Sequence, residues 1–199
     1  SHPNERNLIV EVSEWTDTRS LDKVLSEHRR IDWRRAAQIA RDVAAALDFI
    51  NKSDAALIHR NVQPKSILVC SDGHAQLTDF DLAYDPGSDF TVLGVHAEER
   101  LSVSFTAPEV FLGRSDFSSD VYSLGAVLFQ AISGVEPNAA SDIAATLTAS
   151  LESSPGSKED LACLASLVIS MLAEKPHQRP TAAVVADTLS RLIKPKASQ

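Results

Sequence analysis

The sequence has few of the residues that mark secreted, metal-binding or membrane-spanning proteins. Its 199 residues include only two cysteines, Cys70 and Cys163. Two cysteines cannot form a disulfide framework, nor a four-ligand zinc site by themselves, and they suit a reducing, intracellular setting. No uninterrupted apolar run approaches the ~20 residues of a membrane span, and the polar N-terminus lacks the apolar core of a signal peptide. We therefore expect a cytoplasmic protein.

Positive charge is also scarce. The chain has 19 lysines and arginines against 27 aspartates and glutamates, a formal net charge of −8. Binding nucleic acid requires clustered cations that displace counterions. The nearest basic cluster, His28-Arg29-Arg30 with Arg34 and Arg35, is interrupted by Asp32, and we interpret it as a solvated helix face. The sequence thus argues against nucleic-acid and membrane partners.

What remains is the composition of an ordinary globular domain. Apolar residues make up 44% of the chain and charged residues 23%, which excludes disorder throughout. At roughly 150 residues per domain, this length corresponds to one large domain or two small ones.

Helical periodicity dominates the chain. Asp32 is a good N-cap for a long helix, whose apolar stripe consists of Trp33, Ala36, Ala37, Ala40, Val43, Ala44, Leu47 and Ile50. The small residues in this stripe predict close packing against another helix. Further helices are predicted over 20–28, 120–133, 141–151, 158–174 and from Thr181 onward, the second of these buried on nearly all sides.

Strand signals are fewer. Residues 67–70 and 75–78 flank an Asp72-Gly73 turn, which is a strong hairpin signal. Residues 7–14 also have a strand-like pattern. The polar segment from Tyr84 to Ser104 is long for a connection in a compact domain, and such connections are usually functional or disordered.

Five short motifs occur in a fixed order along the chain. They are His59-Arg60-Asn61-Val62-Gln63-Pro64-Lys65-Ser66, Asp79-Phe80-Asp81, Ala107-Pro108-Glu109, Asp120-Val121-Tyr122-Ser123-Leu124-Gly125 and Gln178-Arg179-Pro180. This order and spacing resembles the C-terminal lobe of a eukaryotic-type Ser/Thr protein kinase. The resemblance implies a mainly α (α+β) fold, a helical bundle with a short β-hairpin at the catalytic loop. Residues 1–15 would end the N-lobe and form the hinge, and residues 16–195 the C-lobe, the rest of the N-lobe being absent from this chain.

Several positions depart from the family pattern. The family's catalytic Asp, which accepts the proton of the substrate hydroxyl, is here Asn61, and the family's Lys two positions later is Gln63. The metal-binding Asn is Ser66, while Asp79 matches the metal-binding Asp. Asp81 replaces a glycine whose freedom to adopt positive φ aspartate shares only in part. Its added negative charge would repel nucleotide phosphates.

The nucleotide-binding parts of the family are also missing from this sequence. No glycine-rich loop, strand lysine or helix glutamate precedes Leu8. Losing a general base alone typically costs 10²–10⁴-fold in rate. The resemblance therefore implies a pseudokinase with no functional catalytic residue and no enzymatic activity. No cofactor is expected, although weak Mg²⁺ or ATP binding stays compatible with the sequence.

The resemblance also assigns roles to other residues. His59, Glu109, Asp120 and Arg179 would be structural, Glu109 pairing with Arg179 and Asp120 holding the catalytic-loop backbone. Arg60 would pair with a phosphorylated residue at Thr91, Ser102, Ser104 or Thr106, unless these are ordinary loop hydroxyls. Asp79, with Asp81 and Ser66, would hold Mg²⁺ or Ca²⁺, unless the three are the solvated remnant of a lost site.

These expectations lead to three functional hypotheses. The first is a catalytically inactive protein-interaction or regulatory module of a larger multidomain protein, whose partners are proteins or other domains of the parent chain. The second is a fragment of a weakly active or nucleotide-binding kinase whose N-lobe lies upstream. The third is a free-standing C-lobe that works as an adaptor.

Overall fold

The computed structural model describes residues 18–54, 56–87 and 101–194. The predicted strand at 7–14, most of the segment from Tyr84 to Ser104 and the hinge-like residues 1–15 lie outside the described residues. Within these ranges the chain is mainly helical with one small sheet, as the kinase-like C-lobe fold requires.

Six α-helices account for about half of the described residues. They are α1 Leu21–His28, α2 Trp33–Asn51, α3 Phe117–Ser133, α4 Ile143–Glu152, α5 Lys158–Met171 and α6 Ala182–Ile193. The predicted N-cap of α2 is confirmed, because the Asp32 carboxylate accepts hydrogen bonds from the Arg34 and Arg35 amides. Helix α3 begins three residues before the predicted start because Asp116, which accepts from the Ser118 amide at 2.7 Å, is its cap.

The predicted hairpin is confirmed and belongs to a larger sheet. Strands β2 (Ile67–Cys70) and β3 (Ala75–Leu77) pair antiparallel, with Ile67 opposite Leu77. A third strand that we did not predict, β1 (Thr18–Ser20), pairs antiparallel with β2 and gives the order β1-β2-β3. At the hairpin turn Gly73 adopts a φ of 100°, and its carbonyl accepts from Arg35 Nη1 at 2.6 Å.

The core lies between α2, α3 and α6. The alanine-rich stripe of α2 is buried as predicted and lets α2 pack closely against both other helices. Helix α3 contacts α5 so closely that a Cβ built on Gly125 would lie 2.8 Å from the Met171 Cβ. In α6 the sequence predicts that Val184, Val185, Leu189 and Leu192 face inward. This is wrong for Val184, which is 51% exposed, whereas Val185 and Leu189 are buried.

Within the parts of the chain described above, no helix combines the length and the apolar character needed to cross a membrane.

Candidate functional site

The loop between α2 and β2, residues 57–66, carries most of the motif residues and is held from below by Asp120. This aspartate lies in the first turn of α3 and is fully buried. Its Oδ2 accepts the His59 amide at 2.7 Å, and its Oδ1 accepts the Arg60 amide at 2.8 Å. Burial raises the pKa of Asp120 to about 7, although both amides and the Arg60 guanidinium oppose the shift. This geometry is that of a structural carboxylate which holds a backbone.

His59 is buried inside this loop in a neutral form. Its Nδ1 lies 3.2 Å from the Asn61 amide and must accept that hydrogen, so its Nε2 carries the proton and donates to the Thr78 carbonyl at 2.9 Å. Burial lowers the pKa of His59 to about 4, while the Thr78 carbonyl and Asp81 raise it in part. The ring also meets the edge of Phe80, with centroids 4.5 Å apart. His59 therefore joins the loop to the segment after β3.

Asn61 and Gln63, which the resemblance places at the family's catalytic Asp and Lys, bind each other. Gln63 Nε2 donates to Asn61 Oδ1 at 2.6 Å. Ser66, which the resemblance places at the metal-binding Asn, is fully buried. Its hydroxyl accepts the Gln63 amide at 3.0 Å and donates to the Asn61 carbonyl at 2.7 Å. All three polar side chains thus form hydrogen bonds within the loop itself.

Two non-glycine residues of the site have left-handed backbone conformations, since Arg60 and Asp79 both have a φ of 64°. Such conformations cost about 1 kcal/mol or more each and require support from the surrounding structure. Asp81, which stands where the resemblance places the family's glycine, lies in the short 3-10 helix Phe80–Leu82. The aspartate that adopts positive φ is Asp79, and aspartate tolerates this conformation better than most residues.

Glu109 and Arg179 form a bidentate ion pair, with distances of 2.6 and 2.9 Å. Arg179 also donates to the carbonyls of Ser118, Ala173 and Glu174. Burial opposes ionisation of Glu109, but hydrogen bonds from Arg179 and Ser119 outweigh it and hold its pKa below the usual value. The pair joins the segment before α3 to the turn before α6.

The residues considered for a phosphorylation switch differ in accessibility. Ser104 and Thr106 are only 8% and 9% exposed, and Ser104 Oγ donates to Glu136 at 2.6 Å. Ser102 is half-buried, and Thr91 lies outside the described residues. The Arg60 guanidinium lies 5.7 Å from the centroid of the Tyr84 ring, and its Nε is buried without a hydrogen-bond partner in the described structure.

The three residues considered for a metal ion also differ in their environments. Asp79 and Asp81 are exposed, whereas Ser66 is fully buried and its hydroxyl is engaged as described. In the described ranges, no three His, Cys, Asp or Glu side chains are grouped so that they could hold a metal.

The chain that carries this site also matches a known protein family. The model for the protein kinase domain matches residues 2–189. The chain belongs to the protein kinase domain family. The matched range includes the loop that carries Asn61, Gln63 and Ser66, and also Asp81 after β3.

The relatives of this kinase-family chain include proteins named as Ser/Thr kinases. It is 42% identical over 116 residues to the serine/threonine-protein kinase PknK of Mycobacterium tuberculosis, covering 58% of this chain and 10% of that protein. It is 32% identical over 127 residues to the probable serine/threonine-protein kinase CPE1738 of Clostridium perfringens, covering 63% of this chain and 18% of that protein. The chain thus spans between about a tenth and a fifth of the length of these relatives.

Some residues that shape the site carry no sequence signal. The Thr78 carbonyl binds His59 through its backbone, and any residue type could supply that oxygen. Glu136 lies in no motif, yet it accepts the Ser104 hydroxyl. The Asn61–Gln63 hydrogen bond could be anticipated only from the spacing of two amides on one tight loop.

Proposed function

We propose that this chain is a catalytically silent kinase-family module which acts by binding a protein partner or another domain of its parent chain. One observation carries the proposal: Gln63 Nε2 donates to Asn61 Oδ1 at 2.6 Å, where the family uses a charged Asp and Lys. A neutral amide cannot accept a proton from a substrate hydroxyl at ordinary pH. A neutral Gln63 cannot stabilise the charge that develops on a transferring phosphoryl group.

The surrounding contacts support the same proposal. The Ser66 hydroxyl is bound within the loop, and burial keeps it away from solvent where a metal ion would lie. Asp79 and Asp81 place two exposed carboxylates near the end of β3, and their negative charge would disfavour a triphosphate. The interior contacts that fix the shape of the lobe, from Asp120 to the loop amides and between Glu109 and Arg179, remain.

The test is phosphoryl transfer by the purified chain. We expect no transfer from radiolabelled ATP with Mg²⁺, either to the chain itself or to casein as a generic acceptor. Asn61→Asp should not restore activity, because Gln63 and Ser66 still differ from the family pattern. The matched control is Asp79→Ala in the same preparation. Transfer by the wild-type chain that Asp79→Ala abolishes would contradict the proposal, whereas transfer that survives this change indicates a contaminating kinase.

The second candidate function is weak kinase or nucleotide-binding activity of a longer parent chain. The observation that favours it is the left-handed backbone at Arg60 and Asp79, because strained conformations cluster at functional sites. A thermal-shift titration of the longer chain with ATP and Mg²⁺ separates the two candidates. A saturable rise in Tm that Asp79→Ala removes would favour nucleotide binding, and no rise would favour the silent module.

A phosphorylation switch would be a regulatory addition to this module. Support comes from the Arg60 guanidinium, whose fork of donors suits a phosphate and whose Nε lacks a partner in the described structure. Ser102 is the more accessible of the described candidates. Mass spectrometry of protein from its native host should find phosphate at Thr91 or Ser102. Unmodified peptides spanning both residues would count against the switch.

A cytoplasmic location is part of the proposal. Its support is that both cysteines, Cys70 and Cys163, are free thiols, which is usual for proteins of reducing compartments. Fractionation of the source cells, with detection by an antibody to this chain, tests it.

A further inference from the structure

A band of exposed cations, formed by Arg29, Arg30, Arg34 and Lys65, crosses one side of the molecule. Arg29 and Lys65 line the same cleft, of about 610 Å³. Arg30 lines a neighbouring cleft of about 210 Å³ together with Pro155, whose carbonyl accepts Arg34 Nη1 at 3.0 Å. The four side chains, which we call the basic band, therefore belong to one continuous surface.

Arg29 is held in a strained conformation at the centre of this band. It follows the last residue of α1 with a φ of 56°, a position where glycine is the usual residue. Its amide donates to the Leu25 carbonyl at 2.7 Å, and Gly134 packs so closely that a Cβ there would lie 3.1 Å from the Arg29 carbonyl oxygen. A side chain retained at such a cost motivates a functional explanation.

The guanidinium groups of Arg29 and Arg30 form no hydrogen bond or ion pair within the described ranges. Elsewhere Arg41 binds Asp42, and Arg35 binds the Gly73 carbonyl. The charges of Arg29 and Arg30 are available to a partner.

We propose that the basic band docks an acidic segment of a protein partner. Each guanidinium offers paired donors that match a carboxylate. Nucleic acid fits less well, because Asp22 and Glu136 lie in the cleft with Arg29, Asp32 lies in the cleft with Arg30, and the chain carries a net charge of −8. The carboxylates of an acidic peptide lie on flexible side chains that can turn away from these acids, whereas the phosphates of a nucleic acid are fixed in its backbone. The proposal goes beyond the catalytically silent module and does not depend on it.

Binding is tested with fluorescein-labelled hexaglutamate, measured by fluorescence anisotropy on the full 199-residue chain. The overall charge of −8 repels this probe, so binding would report local attraction at the band. We expect saturable binding at about 0.05 M salt and at least about tenfold weaker binding at about 1 M, where the Debye length falls to about 3 Å.

Two pairs of variants locate the site. The double change Arg29→Ala and Arg30→Ala should weaken binding at least about tenfold, equivalent to about 1.4 kcal/mol. Arg114→Ala with Arg191→Ala removes the same charge from two other exposed positions and should leave affinity within about twofold.

Arg29→Gly separates binding from folding. Glycine relieves the positive φ of Arg29, so we expect an equal or higher Tm together with weaker binding. Three results would overturn the proposal: no binding of hexaglutamate at low salt, equal losses in both double variants, or tighter binding of a twelve-nucleotide oligothymidine than of the peptide. Arg29→Gly that raises Tm and leaves affinity unchanged would also overturn it.

Discussion

The loop between α2 and β2 contains two sets of contacts that differ in kind. The contacts that hold its backbone, from Asp120 to the His59 and Arg60 amides and from His59 to Thr78, have the geometry of a well-packed interior. Asn61 and Gln63, which the family resemblance places at catalytic positions, bind each other. The residues that hold the loop backbone are therefore different from those that would contact a substrate, so the loop can keep its shape without reactive side chains. Substitutions in the first set should cost stability, and substitutions in the second should cost little.

The largest effect is expected at Asp120. Asp120→Ala leaves the buried His59 and Arg60 amides without their acceptor, and each unpaired group costs about 1–3 kcal/mol. We expect a loss of about 3 kcal/mol or more in the free energy of unfolding, measured by urea denaturation. The matched control is Asp142→Ala, which removes an exposed N-cap carboxylate of α4 and should cost about 1 kcal/mol. Equal losses in the two variants would contradict the structural role of Asp120.

A smaller effect, confined to one pH range, is expected at His59. Its pKa is about 4 in the fold against 6.5 when free. Between these values the unfolded chain binds more protons, so the stability that neutral His59 contributes is fully present above about pH 6.5 and lost as the pH falls toward 4. The full difference corresponds to about 3 kcal/mol.

Urea denaturation of wild type and His59→Gln at several pH values measures this contribution. The difference in unfolding free energy between them should grow as the pH rises from 4 to 6.5. His177→Gln, a change at an exposed histidine, is the matched control. The contribution of Asp120 has the opposite sign, because its raised pKa of about 7 lets the folded state bind more protons than the unfolded state between about 4 and 7. A constant difference for His59→Gln would contradict the buried, neutral state.

The smallest effect is expected at Asn61. Asn61→Asp keeps an oxygen that can accept from Gln63 Nε2, so unfolding free energy should change by less than about 0.5 kcal/mol. Ser66→Ala in the same loop removes the acceptor of the Gln63 amide and the donor to the Asn61 carbonyl, and it should cost about 1–3 kcal/mol. Measuring both by urea denaturation sharpens the comparison: a large loss at Asn61 would show that the neutral pair itself holds the loop.

Local patterns predicted the fold where a single element carried its own signal. Asp32 as N-cap, the alanine stripe of α2 and the Asp72-Gly73 turn act over a few residues, and each formed as expected. Strand β1 was missed because Thr18–Ser20 is short and polar and exists through its pairing with β2. Val184 was misplaced because helical period alone does not say how wide the buried stripe of α6 is.

The site could be predicted only in part. Which residues differ from the kinase pattern was visible in the motifs themselves. How the differing residues interact was not, because the Asn61–Gln63 bond and the burial of Ser66 depend on the path of the backbone between them. The left-handed conformation at Asp79 was not anticipated either, because the sequence marks only the neighbouring Asp81, where the resemblance places a glycine.

The close approach of Gly125 to Met171 has a consequence for motif searches. In the string Asp120-Val121-Tyr122-Ser123-Leu124-Gly125, the first residue holds the loop and the last lets two helices meet, since a Cβ there would lie 2.8 Å from its neighbour. Neither demand requires phosphoryl transfer. A search keyed to this string therefore retrieves chains by how they pack, and it returns working enzymes and silent members alike.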